Sequence, residues 1–233
     1  IAVMHLLIRG LLKDRGYWRF LSERFGYGPR VVRPTLWIHA VSFGEMQGAA
    51  PLVNTLRERH PECGVLITTF TPTGRARART LFGDAVDVRY VPFDLCGAVA
   101  RFLARARPRL VVIMETELWP NLIATAKAHS IPLALVNARL SARSQRGYLR
   151  FARLIRPALA SLDVVAAQTA ADAERLTTIG AQRVSTVGNI KFDVTPSAEK
   201  KQLGAEWRQA LGNRPVWLAA STREGEEALV LDA

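Results

Sequence analysis

The chain has little cysteine, little histidine and a shortage of acid. Of its 233 residues two are Cys and four are His. Cys63 and Cys96 sit in unlike contexts without metal-ligand spacing, which argues against a disulfide framework or a zinc site. His5, His60 and His129 share no spacing, so no metal site is expected, and His39 lies inside an apolar run as a core residue would. No apolar run reaches the ~20 residues needed to span a bilayer. Residues 1–12 are apolar but short and carry Arg9, and no small-residue cleavage site follows them; the tail of a truncated membrane anchor would read the same way, which leaves peripheral and N-terminally anchored attachment both open. There is no internal repeat and no GxGxxG. The nearest substitute, Gly44 with Gly48 in SFGEMQG, would put Glu45 where a pyrophosphate should rest, which argues against a dinucleotide-binding dehydrogenase. Acids are outnumbered, 20 Asp and Glu against 32 Lys and Arg, for a net charge of +12. Such a surface suits phosphates, whether on nucleotide, lipid or nucleic acid.

What is present is a globular balance, 49% hydrophobic and 22% charged, sufficient for a core without staples. Residues 13–33 mix Arg and Lys with Tyr17, Trp18, Phe20 and Phe25, as an interfacial segment or an ordinary packing helix would. From residue 36 apolar runs at 36–41, 64–70, 86–93, 109–115, 132–138, 163–169 and 183–189 read as strands. Helical stretches near 45–59, 73–82, 97–106, 118–129, 143–160 and 170–179 separate them. Strands apolar on both faces alternating with helices predict an α/β fold, a doubly wound, Rossmann-like parallel sheet. A polar stretch at 195–202 reads as a linker into a helix, and 216–222 as a fresh strand before a helix opening EGEE. The expected division is a membrane-proximal segment at 1–33, an N-terminal domain at 34–193, a linker and helix at 194–213, and the start of a second α/β domain at 214–233. A chain that begins at Ile1 and stops at Ala233 inside an expected helix reads as a fragment.

Ligands of open α/β sheets bind beyond the carboxyl ends of the strands, where strand order reverses. In the usual order that point lies between the first and fourth strands. The first ends in VSFGE (41–45) and the fourth in METELWPN (114–121), so Glu45 and Glu115 are expected to face each other there. Two carboxylates in such a crevice suit acid–base work on a hydroxyl. A plain role is also open to Glu45, offsetting a helix dipole. Glu117, just before LWP, fits a helix cap, and Trp119 fits packing. TFTPTGRARAR (69–79) sets hydroxyls, a glycine and arginines after strand two. Arg143, Arg146, Arg150 and Arg153 recur at helical spacing, as a stripe for an anionic surface or as a solvated face.

WIHAVSFGE, TFTPTG, YVPFDL, METELWPN, NARLSARS, GNIKFD and ASTREGEE, seven motifs in order, together resemble the 3-deoxy-D-manno-octulosonic acid (Kdo) transferases, glycosyltransferases of lipid A biosynthesis. The resemblance implies a two-domain GT-B fold with its second Rossmann-like domain truncated here. It implies inverting transfer of Kdo from CMP-Kdo to a lipid A precursor, lipid IVA, at the cytoplasmic face of the inner membrane, with no cofactor and no dedicated metal site. The Glu of the SxGE motif, Glu45, would be the base and Glu115 its acidic companion. Substrate contacts are expected at Ser42, Gly44, Thr71, Thr73, Gly74, Arg75, Asn137, Arg139, Ser141, Lys191, Ser221, Thr222 and Glu224. Arg223 stands where the family often has His, which puts a donor-side role of that residue in question. The alternative is a non-catalytic basic α/β domain binding nucleic acid or an anionic membrane. Nucleic acid is not expected, because the Arg runs lack interleaved aromatics. A third reading is a GT-B enzyme for another nucleotide sugar.

Overall fold

A computed structural model describes residues 18–193 and 198–232. The chain divides near residue 194 into two compact units. The first is built on a seven-stranded, all-parallel sheet in the order β3-β2-β1-β4-β5-β6-β7. The strands are β1 (Thr35–His39), β2 (Gly64–Thr69), β3 (Asp87–Tyr90), β4 (Pro108–Met114), β5 (Leu133–Ala138), β6 (Val164–Ala167) and β7 (Val184–Thr186). The crossover helices are α2 (Phe43–Arg59), α3 (Pro72–Phe82), α4 (Cys96–Ala106), α5 (Pro120–Ala128), α6 (Ala142–Arg150), α7 (Ala152–Ala160) and α8 (Ala170–Thr178), and α1 (Leu21–Arg24) precedes β1. All seven expected strands are present, and the order reverses between β1 and β4.

The period of two along each strand explains the layers. Trp37, Leu66, Val111 and Ile113 pack on one face with Phe102 and Leu122. Ile38, Ile67, Val112 and Met114 pack on the other with Met46 and Val53. Neither face meets water, which is why these strands read as continuous apolar runs.

Two expectations are corrected. The single helix over 143–160 is two helices, broken at Phe151. The second, α7, buries Ile155, Ala158 and Leu159, whereas α6 has no buried residue. The change of direction lets the apolar face of α7 reach the core while α6 stays at the surface. The strand expected at 216–222 is absent. A strand needs a neighbour to take its backbone hydrogen bonds, and among the described residues none pairs with this segment. The second unit contains α9 (Ala198–Leu211) and α10 (Glu226–Leu231).

Residues 1–17 of the expected membrane-proximal segment lie outside the described residues. Its remainder packs on the first unit. Arg24 is fully buried, donates to the Phe70 carbonyl at 2.9 Å and lies over the Tyr90 ring. Glu23 receives both Arg75 terminal nitrogens and the Tyr90 amide, the latter at 2.8 Å. No helix among the described residues is long and apolar enough to cross a membrane. Because Arg75 is 8% exposed, Glu23→Ala strands a buried charge. It should cost roughly 3–5 kcal/mol in urea unfolding, and an unchanged midpoint would refute the structural role of the pair.

Candidate active site

The turn from β1 into α2 sets the centre of the site. Ser42 is the N-cap of α2, in extended backbone, and its Oγ accepts from the Glu45 amide at 3.3 Å. Glu45 replies through its side chain. Oε1 accepts the Ser42 hydroxyl and Oε2 the Val41 amide, each at 2.8 Å. This S-x-x-E pattern is a reciprocal cap, so the plain and the chemical roles of Glu45 coincide in one side chain. The side chain is fixed by its capping bonds, and the residue is only 8% exposed. Burial pushes its pKa up to about 7 against those two hydrogen bonds, with help from the charges of Glu117 and Glu115.

Glu115 follows β4 immediately, in left-handed backbone with φ 56°. Its amide still donates to the Val136 carbonyl at 2.9 Å, so the sheet carries on while the side chain is turned. Arg139 Nε lies 3.3 Å from one carboxylate oxygen and Lys191 Nζ 3.6 Å from the other. Asn137, on β5, shares the strained conformation at φ 57°, where the pairing with β6 shifts register. Such outliers on adjacent strands at one edge mark a site under constraint.

Several expected contact residues hold the frame. Asn137 is buried, and its Oδ1 accepts the Ile190 amide at 3.2 Å, fixing the 3-10 turn Ile190–Asp193 that carries Lys191. The Lys191 stem lies across α2 at Gly48, where an added Cβ would come 3.6 Å from its Cγ. Gly48 therefore seats a lysine, not a phosphate. Thr71 caps α3 through the Gly74 amide at 3.0 Å, and Thr73 leans on Thr71. Gly74 is required by space, since a Cβ there would stand 2.3 Å from Thr69 Oγ1. Ser141 caps α6, while Gly44 opens onto free space. The Arg75 guanidinium is held by Glu23 and lies over the rings of Phe20 and Tyr90. Ser221, Thr222 and Glu224 belong to the second unit.

Glu117 is not the cap of α5. Asp94 fills that place from the loop after β3, accepting the Asn121 and Leu122 amides at 3.1 and 2.7 Å. Glu117 instead accepts from Trp119 Nε1 at 3.0 Å, and burial raises its pKa. Residue order carried a faint sign of it, a second acid two positions after Glu115. Thr69, which donates to the Val41 carbonyl at 2.8 Å, was also missed. Among the described residues no group of His, Cys, Asp and Glu is arranged to hold a metal ion. Cavities of about 450 and 490 Å³ share no lining residue with this site, one beside Arg33, Asp87 and Arg89 and one at the break between α6 and α7.

Residues 19–194 match the family described as 3-deoxy-D-manno-octulosonic-acid transferase (kdotransferase). The chain belongs to the Kdo transferase family. It is similar to the 3-deoxy-D-manno-octulosonic acid transferase of Bordetella pertussis, at 45% identity over 94% of this chain and 53% of that protein. The Haemophilus influenzae transferase of the same name is 39% identical over 95% of this chain and 54% of its own length. The chain thus spans about half the length of the curated relatives it matches. Among solved structures, UDP-GlcNAc 2-epimerase from Neisseria meningitidis bound to UDP-GlcNAc superposes with a TM-score of 0.51 at 15% identity, over 76% of this chain and 51% of that one. That likeness is one of fold, the Rossmann-like half of a GT-B architecture.

The raised Glu45 pKa has a measurable sign. The folded carboxyl keeps its proton up to about pH 7, whereas the unfolded one releases it near 4.5. Folding therefore loses support as pH rises through that window. Glu45→Gln should be more stable than wild type by up to roughly 3 kcal/mol at pH 8 and nearly equal at pH 4. Parallel urea curves at both pH values would disprove the shift.

Proposed function

We propose that this chain is the acceptor-side half of an inverting glycosyltransferase that moves Kdo from CMP-Kdo to the lipid A precursor lipid IVA. The observation that carries the reading is Glu45: a carboxylate gripped by two 2.8 Å hydrogen bonds at the strand-order reversal, with a pKa of about 7, in a chain of the Kdo transferase family. In the transfer step the acceptor hydroxyl oxygen bonds to the anomeric carbon as the bond from that carbon to the CMP phosphate oxygen breaks. CMP leaves with the bonding electrons, the hydroxyl proton passes to Glu45, and attack from the opposite face inverts the centre. The phosphate of CMP is a stable leaving anion, so the demanding task is activation of the hydroxyl. General-base help of this kind supplies about 10²–10⁴-fold.

Glu115 lies beside the base, with Arg139 and Lys191 balancing its charge and available to an anionic substrate. Ser42, Gly44, Thr71, Thr73 and Ser141 line the same edge of the sheet as acceptor contacts. Residues 214–233 open the donor-binding domain, with Ser221, Thr222 and Glu224 on the donor side. The test is Kdo transfer from CMP-Kdo to lipid IVA by the chain continued to the full length of its relatives. Glu45→Ala should lose at least about 10²-fold in rate while staying folded, and the wild-type rate should climb with pH through about 7 as the base ionises. Near-normal turnover by the variant would sink the assignment.

The acceptor is a membrane lipid, and the α6–α7 corner supports a site at the cytoplasmic face of the inner membrane. Leu149, Phe151 and Leu154 are 40, 65 and 56% exposed around the break. Between residues 139 and 162 stand Arg139, Arg143, Arg146, Arg150, Arg153 and Arg156, with no Asp or Glu. Tyr148 packs this corner against the site, its hydroxyl donating to the Thr116 carbonyl at 3.3 Å. Apolar tips among cations suit an anionic bilayer, whereas nucleic acid would find no use for the leucines. Phe151→Ser with Leu154→Ser should release the chain from phosphatidylglycerol vesicles at physiological salt, and equal retention on DNA and vesicles would favour the nucleic-acid alternative.

A further inference from the structure

The backbone that leaves β5 is held at every step. Four consecutive carbonyls have fixed donors. Gln168 serves the first two: its side-chain Nε2 reaches the Asn137 carbonyl at 3.0 Å, and its amide reaches the Ala138 carbonyl at 2.9 Å. The Thr116 hydroxyl donates to the Arg139 carbonyl. On α8, Arg175 Nη1 donates to the Leu140 carbonyl at 3.1 Å, and Asp172 Oδ1 accepts the Leu140 amide at 2.8 Å. The side chain mounted on this backbone stands outside the core. Arg139 has a side chain 64% exposed, whose acidic partner among the described residues is Glu115, with Nε 3.3 Å from Oε2. An exposed ion pair adds little stability, so the energy of the pair does not account for so firm a mount. A firm mount is what a cation needs if it is to meet a second anion at a set place.

The contact from Thr116 differs in kind from the others. β4 and β5 pair as far as the Val136 carbonyl, which accepts the Glu115 amide at 2.9 Å. The ladder does not run on past it, because Glu115 and Asn137 both turn into left-handed backbone, at φ 56° and 57°. The Thr116 side chain takes over where the backbone pairing stops. A carbonyl only accepts and an amide only donates. The hydroxyl therefore gives its one proton to the Arg139 carbonyl and takes the Arg139 amide, at 3.3 Å, on a lone pair. One side chain thus fixes both polar groups of a single residue across the loop. Thr116 is held in turn, its carbonyl accepting the Leu118 amide at 3.1 Å and the Tyr148 hydroxyl at 3.3 Å.

We propose that Thr116 is a positioning residue that acts through Arg139, holding that guanidinium beside Glu115 as a seat for an anionic group of the acceptor. Thr116 is the chain neighbour of Glu115 and clamps the backbone of Arg139, so it sets both ends of the ion pair between them. The role belongs to the hydroxyl. Serine would keep both bonds, whereas valine would match the shape and offer neither. The inference deepens the reading of the chain as a Kdo transferase and rests on it for the identity of the acceptor, but the clamp itself is measurable without turnover.

In the whole 233-residue chain, hydrogen exchange followed by NMR should find the Arg139 amide protected at least about tenfold more in wild type than in Thr116→Val, with Thr116→Ser close to wild type. Thr116→Ala takes the place of Thr116→Val if the latter fails to fold. Equal exchange with and without the hydroxyl overturns the clamp. The second measurement uses the chain continued to the full length of its relatives. Thr116→Val should raise the KM for lipid IVA about tenfold, the worth of a hydrogen bond that serves a charged group. It should leave kcat and the KM for CMP-Kdo within about twofold of wild type, and Thr116→Ser should restore the lost affinity. In an Arg139→Ala background Thr116→Val should change nothing further, because residues that act as one unit do not add. A Thr116→Val enzyme with lower kcat and both KM values raised alike, or one that still loses acceptor affinity when Arg139 is alanine, overturns the proposal. A folded full-length chain that transfers no Kdo, with the exchange difference intact, would instead fell the transferase reading and leave the Thr116–Arg139 clamp standing.

Discussion

The bond from the Val41 amide to the Glu45 carboxylate is the constraint on which the rest turns. It runs backwards across the first turn of α2 and joins the helix to the strand it leaves. Through Val41 it also reaches β2, because Thr69 and Thr71 both donate to the Val41 carbonyl. Strand, helix and the neighbouring loop thus meet at one residue. A carboxyl group mounted there cannot swing to solvent for its hydration, so its protonation answers to its neighbours. The positive end of the helix dipole favours the ionised form, burial disfavours it, and the balance falls near neutrality.

The site edge has the same logic on the far side of the reversal. Glu115 and Asn137 occupy left-handed backbone that glycine would adopt without strain. Glycine could not supply the carboxylate or the amide that each position uses. The cost is met by fixed partners: Asn137 holds the Ile190 turn, and that turn delivers Lys191 to Glu115. The cation is placed by backbone two strands away, which gives it a definite position despite a long flexible stem.

Much of the fold was legible because burial on both faces writes each strand as an apolar run, and a parallel order follows from the helices between them. The Glu45 and Glu115 positions followed from the order itself. What residue order hid was long-range. Asp94 caps a helix 27 residues away and Glu23 pairs with Arg75 over 52 residues, separations that no local pattern records. The Arg75 pairing stayed hidden because its buried partner lies outside any motif. Glu117 looked like a cap because it stands just ahead of the helix, although the capping oxygen comes from another loop. The break at Phe151 has neither Pro nor Gly to announce it, and the expected strand at 216–222 could not form without a neighbour.

Gly48 carries a consequence of a different kind. A glycine inside α2 sacrifices about 1 kcal/mol of helix propensity, and the bare patch it leaves becomes a groove for the lysine stem. The groove works as a ruler. It sets how far the ammonium can extend past the helix, and so the span over which positive charge is offered at the sheet edge. A methyl group in that slot would meet the stem at ordinary contact distance, 3.6 Å from its Cγ and 3.7 Å from its Cε, so a side chain larger than alanine would be needed to displace the stem and change the reach of the cation.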